Sequence, residues 1–267
     1  MRINGMTPRL PILFILPALA FGQHTLTCED NSSYGGSDRM YCEVRDMKAA
    51  PAGSLRISPG HNGSVRVTGW DRNEVSIRAR VQAWADTDAE ARARAAKVQI
   101  VTAGGEIRAT ASDEILEKTG VSFEVFTPRK TNIDAGAHNG SVSASKLEGR
   151  IQVSTHNGSI RFSELKGKVE GRTHNGSVRV NLDGTTWQGE GLTATTHNGS
   201  VKLGVPKGYS ARLHAGSDRG GLHSDIPLTL KGKLTGPVDV TLGGGGPLIS
   251  ATTHNGRVSI EEGPVRD

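Results

Sequence analysis

Six copies of His-Asn-Gly, beginning at His61, His138, His156, His174, His197 and His254, constrain this chain more than any other feature. The fullest copies read Thr-His-Asn-Gly-Ser-Val, at Thr173–Val178 and Thr196–Val201. Thr155–Ile160 carries Ile for Val, and Thr253–Val258 carries Arg for Ser. His138, His156 and His174 are 18 residues apart, and His197 follows after 23. A period of this size marks a repeat architecture, in which each unit buries its apolar face against its neighbours.

Aligned on Asn-Gly, the copies assign a direction to each side chain. Val65/Val67, Val142/Ala144, Ile160/Phe162, Val178/Val180, Val201/Leu203 and Val258/Ile260 alternate with polar residues and so face a core. The preceding strands behave alike, as Ile151/Val153/Thr155, Val169/Gly171/Thr173, Leu192/Ala194/Thr196 and Ile249/Ala251/Thr253, which turns the Thr before each His inward. Leu147-Glu148-Gly149 and Leu165-Lys166-Gly167 supply a second turn, so an 18-residue unit is two short strands and two turns. Two architectures fit. Asn-Gly is a strong hairpin signal and would give an antiparallel meander. Recurrence of one residue type at one position favours a single-stranded, β-helix-like solenoid with coils of about 18 residues. Aromatics are only 4% of the chain, and a narrow core of Val, Ile and Leu does not need them. Stacked coils would hold successive histidines about 4.8 Å apart, and a meander about twice that.

The remaining chain reads in order. Residues 1–22 combine Arg2, Arg9, an apolar run over Pro11–Phe21 and a small-residue cleavage site at Ala18-Leu19-Ala20, the pattern of a secretory signal peptide. Its loss takes two arginines from a formal charge of +5 and leaves +3, too little for a nucleic-acid-binding surface. No later stretch is long and apolar enough to span a membrane. Residues 23–50 form a polar lead-in holding Cys28 and Cys42, expected to pair as one disulfide in an exported chain. Residues 51–263 form the repeat domain. Asp86-Thr87-Asp88 caps a short α-helix near 87–98, rich in Ala and Arg, expected to cover an open end or side of the sheet. Asp218-Arg219-Gly220-Gly221 and Gly243–Gly246 read as turns.

Gly69-Trp70-Asp71, Phe123-Glu124-Val125, the repeated Thr-x-Asn-Gly-Ser-Val, Val205-Pro206-Lys207-Gly208 and the four glycines before Thr253-His254-Asn255-Gly256 resemble the bacterial putative-adhesin family of β-strand-repeat domains. The resemblance covers roughly residues 50–263. It implies an exported all-β solenoid and brings no enzymatic residues. This chain departs from the family pattern in placing His at the variable position of every copy.

Three surface features are candidates for chemistry. His138, His156, His174 and His197 form one row, and neutral imidazole is a ligand for Zn, Cu or Ni. A straight column converges poorly on one ion, so an exposed turn residue copied by duplication is the simpler reading. Protonated rings in such a column would repel, which predicts lower stability in acid. Arg66, Arg161, Arg179 and Lys202 share one outward position and suit an anionic polysaccharide or headgroup, against the plainer reading of a solvated face. Asn-Gly-Ser at Asn62, Asn139, Asn157, Asn175 and Asn198 matches a glycosylation acceptor, but a tight turn with positive φ explains it as well, and stacked Asn side chains can form ladders.

Nucleophile elbows, His-Glu-x-x-His and phosphate loops are absent from the sequence. The expected role is therefore non-enzymatic and without a cofactor: an exported scaffold or binding module, periplasmic or on a bacterial surface, for a glycan, an envelope component or a protein. A metal-binding protein built on the His column is the second reading. A carbohydrate-active enzyme is the third.

Overall fold

The computed structural model describes residues 25–29, 39–228 and 236–265. The expected signal segment, residues 1–22, lies outside them. The fold is all-β, with 63% of the described residues in strands and 6% in helices. In order the elements are β1 (Arg39–Ala49), β2 (Ser54–Ser58), β3 (Val65–Trp70), β4 (Val75–Ala85), α1 (Asp88–Ala96), β5 (Gln99–Val101), β6 (Glu106–Thr110), α2 (Asp113–Glu117) and β7 (Thr119–Pro128). The repeats follow as β8 (Asn132–Asn139), β9 (Val142–Ser145), β10 (Glu148–Asn157), β11 (Ile160–Ser163), β12 (Lys166–Asn175), β13 (Val178–Asn181), β14 (Gly191–Asn198) and β15 (Val201–Val205). β16 (Ala211–Ser224), β17 (Val238–Leu242) and β18 (Leu248–Glu262) complete the described chain.

Successive repeats pair in parallel, not as hairpins. β10 lies between β8 and β12 with Thr155 opposite Ala137 and Thr173, and β11 lies between β9 and β13 with Arg161 opposite Ser143 and Arg179. Asn-Gly therefore turns the chain from one ladder to another, and the antiparallel meander is excluded for these units. The ladder before the corners runs β5-β6-β2-β8-β10-β12-β14-β18-β16-β17. The ladder after them runs β1-β4-β7-β3-β9-β11-β13-β15-β18-β16.

The core fills the space between the ladders as the alternation requires. Ile151, Ile160, Val169, Val178, Leu192, Val201, Ile249 and Val258 are all buried. Gly171 leaves room for Phe162, whose ring would lie 2.6 Å from a Cβ there. The five extra residues before His197 carry Trp187 into the core, where its indole N–H donates to Gly167 O at 2.9 Å.

Four features depart from a plain stack of repeats. A uniform parallel stack is not what the ends show: the sheet is mixed, with antiparallel pairs β1–β4, β4–β7, β5–β6 and β16–β17. The first two lie where the 18-residue period is missing. Residues 39–49, the tail of the polar lead-in, form an 11-residue strand against β4. Asp218-Arg219-Gly220-Gly221 is no reversing turn; β16 runs through it, in register with β18. Finally, stack order is not chain order, because β18 inserts between β14/β15 and β16.

The expected helix is α1, capped by Thr87, which accepts from Glu90 N at 3.2 Å. It packs on β1 and β4 through buried Ala91 and Ala95. Arg45 of β1 donates to Ala95 O at 2.9 Å, a carbonyl at the helix end that also accepts from Val98 N at 3.0 Å. The short helix α2 had no sequence signal strong enough to stand out. Cys28 and Cys42 form a disulfide with Cα atoms 5.8 Å apart. Among the described residues no helix is long and apolar enough to cross a membrane.

Candidate functional site

The corner stacks one coil's atoms on the next. His138, His156, His174, His197 and His254 form a column of near-parallel rings with centroids 4.7–5.0 Å apart. His61 extends it edge-on at 6.0 Å. At the other end stands Asp218, at the position that His occupies in the other coils, and its Oδ2 lies 2.9 Å from His254 Nδ1. Parallel rings hold their nitrogens side by side rather than aimed at a point. Among the described residues no three His, Cys, Asp or Glu side chains are grouped to hold a metal ion.

Beside the rings runs an asparagine ladder. Each Nδ2 donates to the Oδ1 of the neighbouring coil: Asn139 to Asn62 at 3.0 Å, Asn157 to Asn139 at 2.8 Å, and Asn175 to Asn157, Asn198 to Asn175 and Asn255 to Asn198 at 2.9 Å. Positive φ was the wrong reason for these asparagines. The only described non-glycine residues with positive φ are Lys146 and Glu164, at the opposite turn. Asn is required here because one amide both donates and accepts along the stack. Glycine is required next to it by close approach: a Cβ on Gly176, whose φ is +153°, would lie 2.1 Å from Gly158 O. The inward threonines bind the same turns from inside, Thr173 Oγ1 donating to Gly158 O and Thr155 Oγ1 to Gly140 O, both at 2.8 Å. These interlocked ladders fix the histidine positions from coil to coil.

The cationic positions lie on the second ladder, in a row that register orders as Asp46, Arg78, Glu124, Arg66, Ser143, Arg161, Arg179, Lys202 and Ser259. Its first part is neutralised. Arg78 makes a two-pronged pair with Asp46 at 2.7 and 2.9 Å, and Arg66 Nη1 donates to Glu124 at 3.1 Å. Arg66, one of the four cationic candidates, is thereby neutralised. Beyond Ser143, Arg161, Arg179 and Lys202 follow on adjacent strands, and Glu261 lies 3.7 Å from Lys202. Arg179 Nε is buried and has no hydrogen-bond partner among the described residues.

Glu124 was quoted in the sequence only within a motif, yet it is the most enclosed carboxylate on this face, 3% exposed. It accepts from Thr25 N at 2.7 Å, Thr25 Oγ1 at 2.9 Å and Leu26 N at 3.2 Å, besides Arg66. Burial alone would raise its pKa; the hydrogen bonds from Leu26, Thr25 and Arg66 outweigh burial and hold it below the ordinary 4.5. The N-terminal segment is thus fastened over the neutralised part of the row, and the disulfide ties it to β1.

No protein-family model matches the chain, and no curated protein matches it. Solved structures do resemble it in outline. A "putative cell adhesion protein" from Clostridium sporogenes is 10% identical, with 83% of this chain and 100% of that one covered and a TM-score of 0.46. A "putative adhesin" from Bacteroides fragilis is 10% identical over 82% and 97%, with a TM-score of 0.40. A "putative lipid binding protein" from Parabacteroides distasonis is 10% identical over 82% and 96%, with a TM-score of 0.32. At this identity and these scores the likenesses carry nothing over to this chain's function, which rests on its own residues.

Proposed function

We propose that this chain is a non-enzymatic, exported β-solenoid that binds an anionic glycan of the bacterial envelope through Arg161, Arg179 and Lys202. One observation carries the reading: register places three cationic side chains on consecutive strands, about 4.8 Å apart, on a rigid outer face. Stacked like charges are unfavourable unless they are solvated or meet an anion. The disulfide suits an oxidising compartment, in keeping with export.

The test is co-sedimentation with purified anionic glycans and isolated envelopes at low and physiological salt. Binding is expected to weaken with salt and to fall by about tenfold or more when Arg161, Arg179 and Lys202 all become Ser. Binding that persists in that variant, or that is lost on adding a chelator, overturns the assignment.

A further inference from the structure

We propose that the histidine column is a second binding row, separate from the Arg161 row, that takes up a linear polyanion when its imidazoles become protonated. Five rings stand face to face at 4.7–5.0 Å and a sixth at 6.0 Å. His138, His156, His174 and His197 are exposed, so their edges reach solvent. The asparagine and threonine ladders lock the spacing, so the rings cannot spread apart to dilute their charge.

Imidazole changes charge between about pH 5 and 8. A neutral column has one N–H donor per ring but no charge to attract an anion. A protonated one is a linear array of N–H donors whose mutual repulsion a polymer with regularly placed carboxylates or phosphates relieves, and a single small anion does so at only one or two rings. Binding and proton uptake are therefore linked, each promoting the other.

The charged surroundings favour this sign. Asp218 contacts the column at His254 and is the only described carboxylate hydrogen-bonded to one of its rings. Arg172 lies on the outward face two residues before His174, paired with Glu170. Arg219 stands in register with Asn255, and Arg257 follows the last corner. Beyond His61, α2 brings Asp113, Glu114 and Glu117, and Asn62 Nδ2 donates to Glu117 O. Acids thus sit at the two ends of the column, and the two acids along its length, Asp134 and Glu170, are each paired with an arginine, Arg56 and Arg172.

The experiment measures binding of the mature protein to polygalacturonate and, separately, to inorganic polyphosphate at pH 8.0 and 5.5, with chelator present and ionic strength fixed. Affinity for at least one polymer is expected to rise about tenfold or more at pH 5.5, with net proton uptake seen as a buffer-dependent heat. The preferred polymer tells carboxylate from phosphate recognition. Replacing His156, His174 and His197 by Gln is expected to remove the acid-dependent increment and leave the melting temperature at pH 8.0 within a few degrees. Should that triple variant fold poorly, H174Q alone is expected to lower the increment. The variant lacking Arg161, Arg179 and Lys202 is expected to keep the increment, so failure of that row and failure of this column are distinguishable. Affinity independent of pH for both polymers, or an increment that survives the histidine replacements, overturns the proposal.

Discussion

Removing one asparagine from the middle of the ladder tests whether side-chain hydrogen bonds help to hold the coils in register. Asn157 donates to Asn139 at 2.8 Å and accepts from Asn175 at 2.9 Å. Asn157→Ala deletes both bonds. A protein hydrogen bond contributes about 0.5–1.5 kcal/mol net, and exposed ones fall toward the low end because water replaces the lost partner. Two bonds then amount to about 1–2 kcal/mol. Asn255 stands at the end, donating to Asn198 at 2.9 Å, and no described residue donates to its own oxygen. Asn255→Ala removes one ladder bond, or about half as much.

Equilibrium unfolding in urea, with melting curves alongside, reads the difference. For a chain of this size 1 kcal/mol moves the melting temperature by about 2–4 °C, so Asn157→Ala is expected to lose about 2–8 °C and Asn255→Ala about half of that. The ratio matters more than either value, because both sites lose the same side chain from an equivalent corner. Equal losses at the two positions, or an Asn157→Ala loss within about 0.3 kcal/mol of zero, would refute the ladder as a source of stability. Backbone pairing and the buried threonines would then hold the corners alone.

Other outcomes follow from the same structure. Replacing Cys28 and Cys42 by Ser opens a loop of about 15 residues and is expected to cost about 3 kcal/mol, measurable by urea unfolding. The carboxyl of Glu124 lies below its ordinary pKa in the folded chain, so its stabilisation is present above about pH 4.5 and is lost as pH falls through the folded value; melting curves of Glu124→Gln should lack that acid limb. Its loss should overlap with that of the disulfide, since both fasten residues 25–28, and the double change should cost less than the two separately. Lys146 sits at φ 57°, a conformation Asn tolerates better, so Lys146→Asn is expected to raise stability by about 0.5 kcal/mol.

How much of this was legible in the sequence depends on whether the signal was local. The inward direction of Val142, Ile160, Val178 and Thr173 follows from period-two alternation, and the parallel register from like residues at like positions. The cysteine pairing followed from count and context. β1 escaped because its alternation is not apolar: Tyr41, Glu43, Arg45 and Met47 share one side, and Arg45 is there to meet the carbonyl of Ala95. The insertion of β18 between β14 and β16 escaped because adjacency across more than thirty residues leaves no local mark.

The seventh corner was nearer to reach. Ser217-Asp218-Arg219-Gly220-Gly221-Leu222 keeps the small hydroxyl residue, the glycine and the apolar residue at the offsets of Thr253-His254-Asn255-Gly256-Arg257-Val258; Gly221 stands at Arg257, and of the His-Asn-Gly core only His and Asn are exchanged. Those exchanges have a physical sense at the end of a stack. A further coil beyond β16 would have to continue both ladders, and Arg219, having no acceptor in its side chain, cannot pass the asparagine ladder on. Asp218 ends the ring column with a carboxylate beside His254, so the terminal imidazole acquires a counter-charge in place of another ring. The two residues that broke the motif, and so hid the corner, are the ones that close the column.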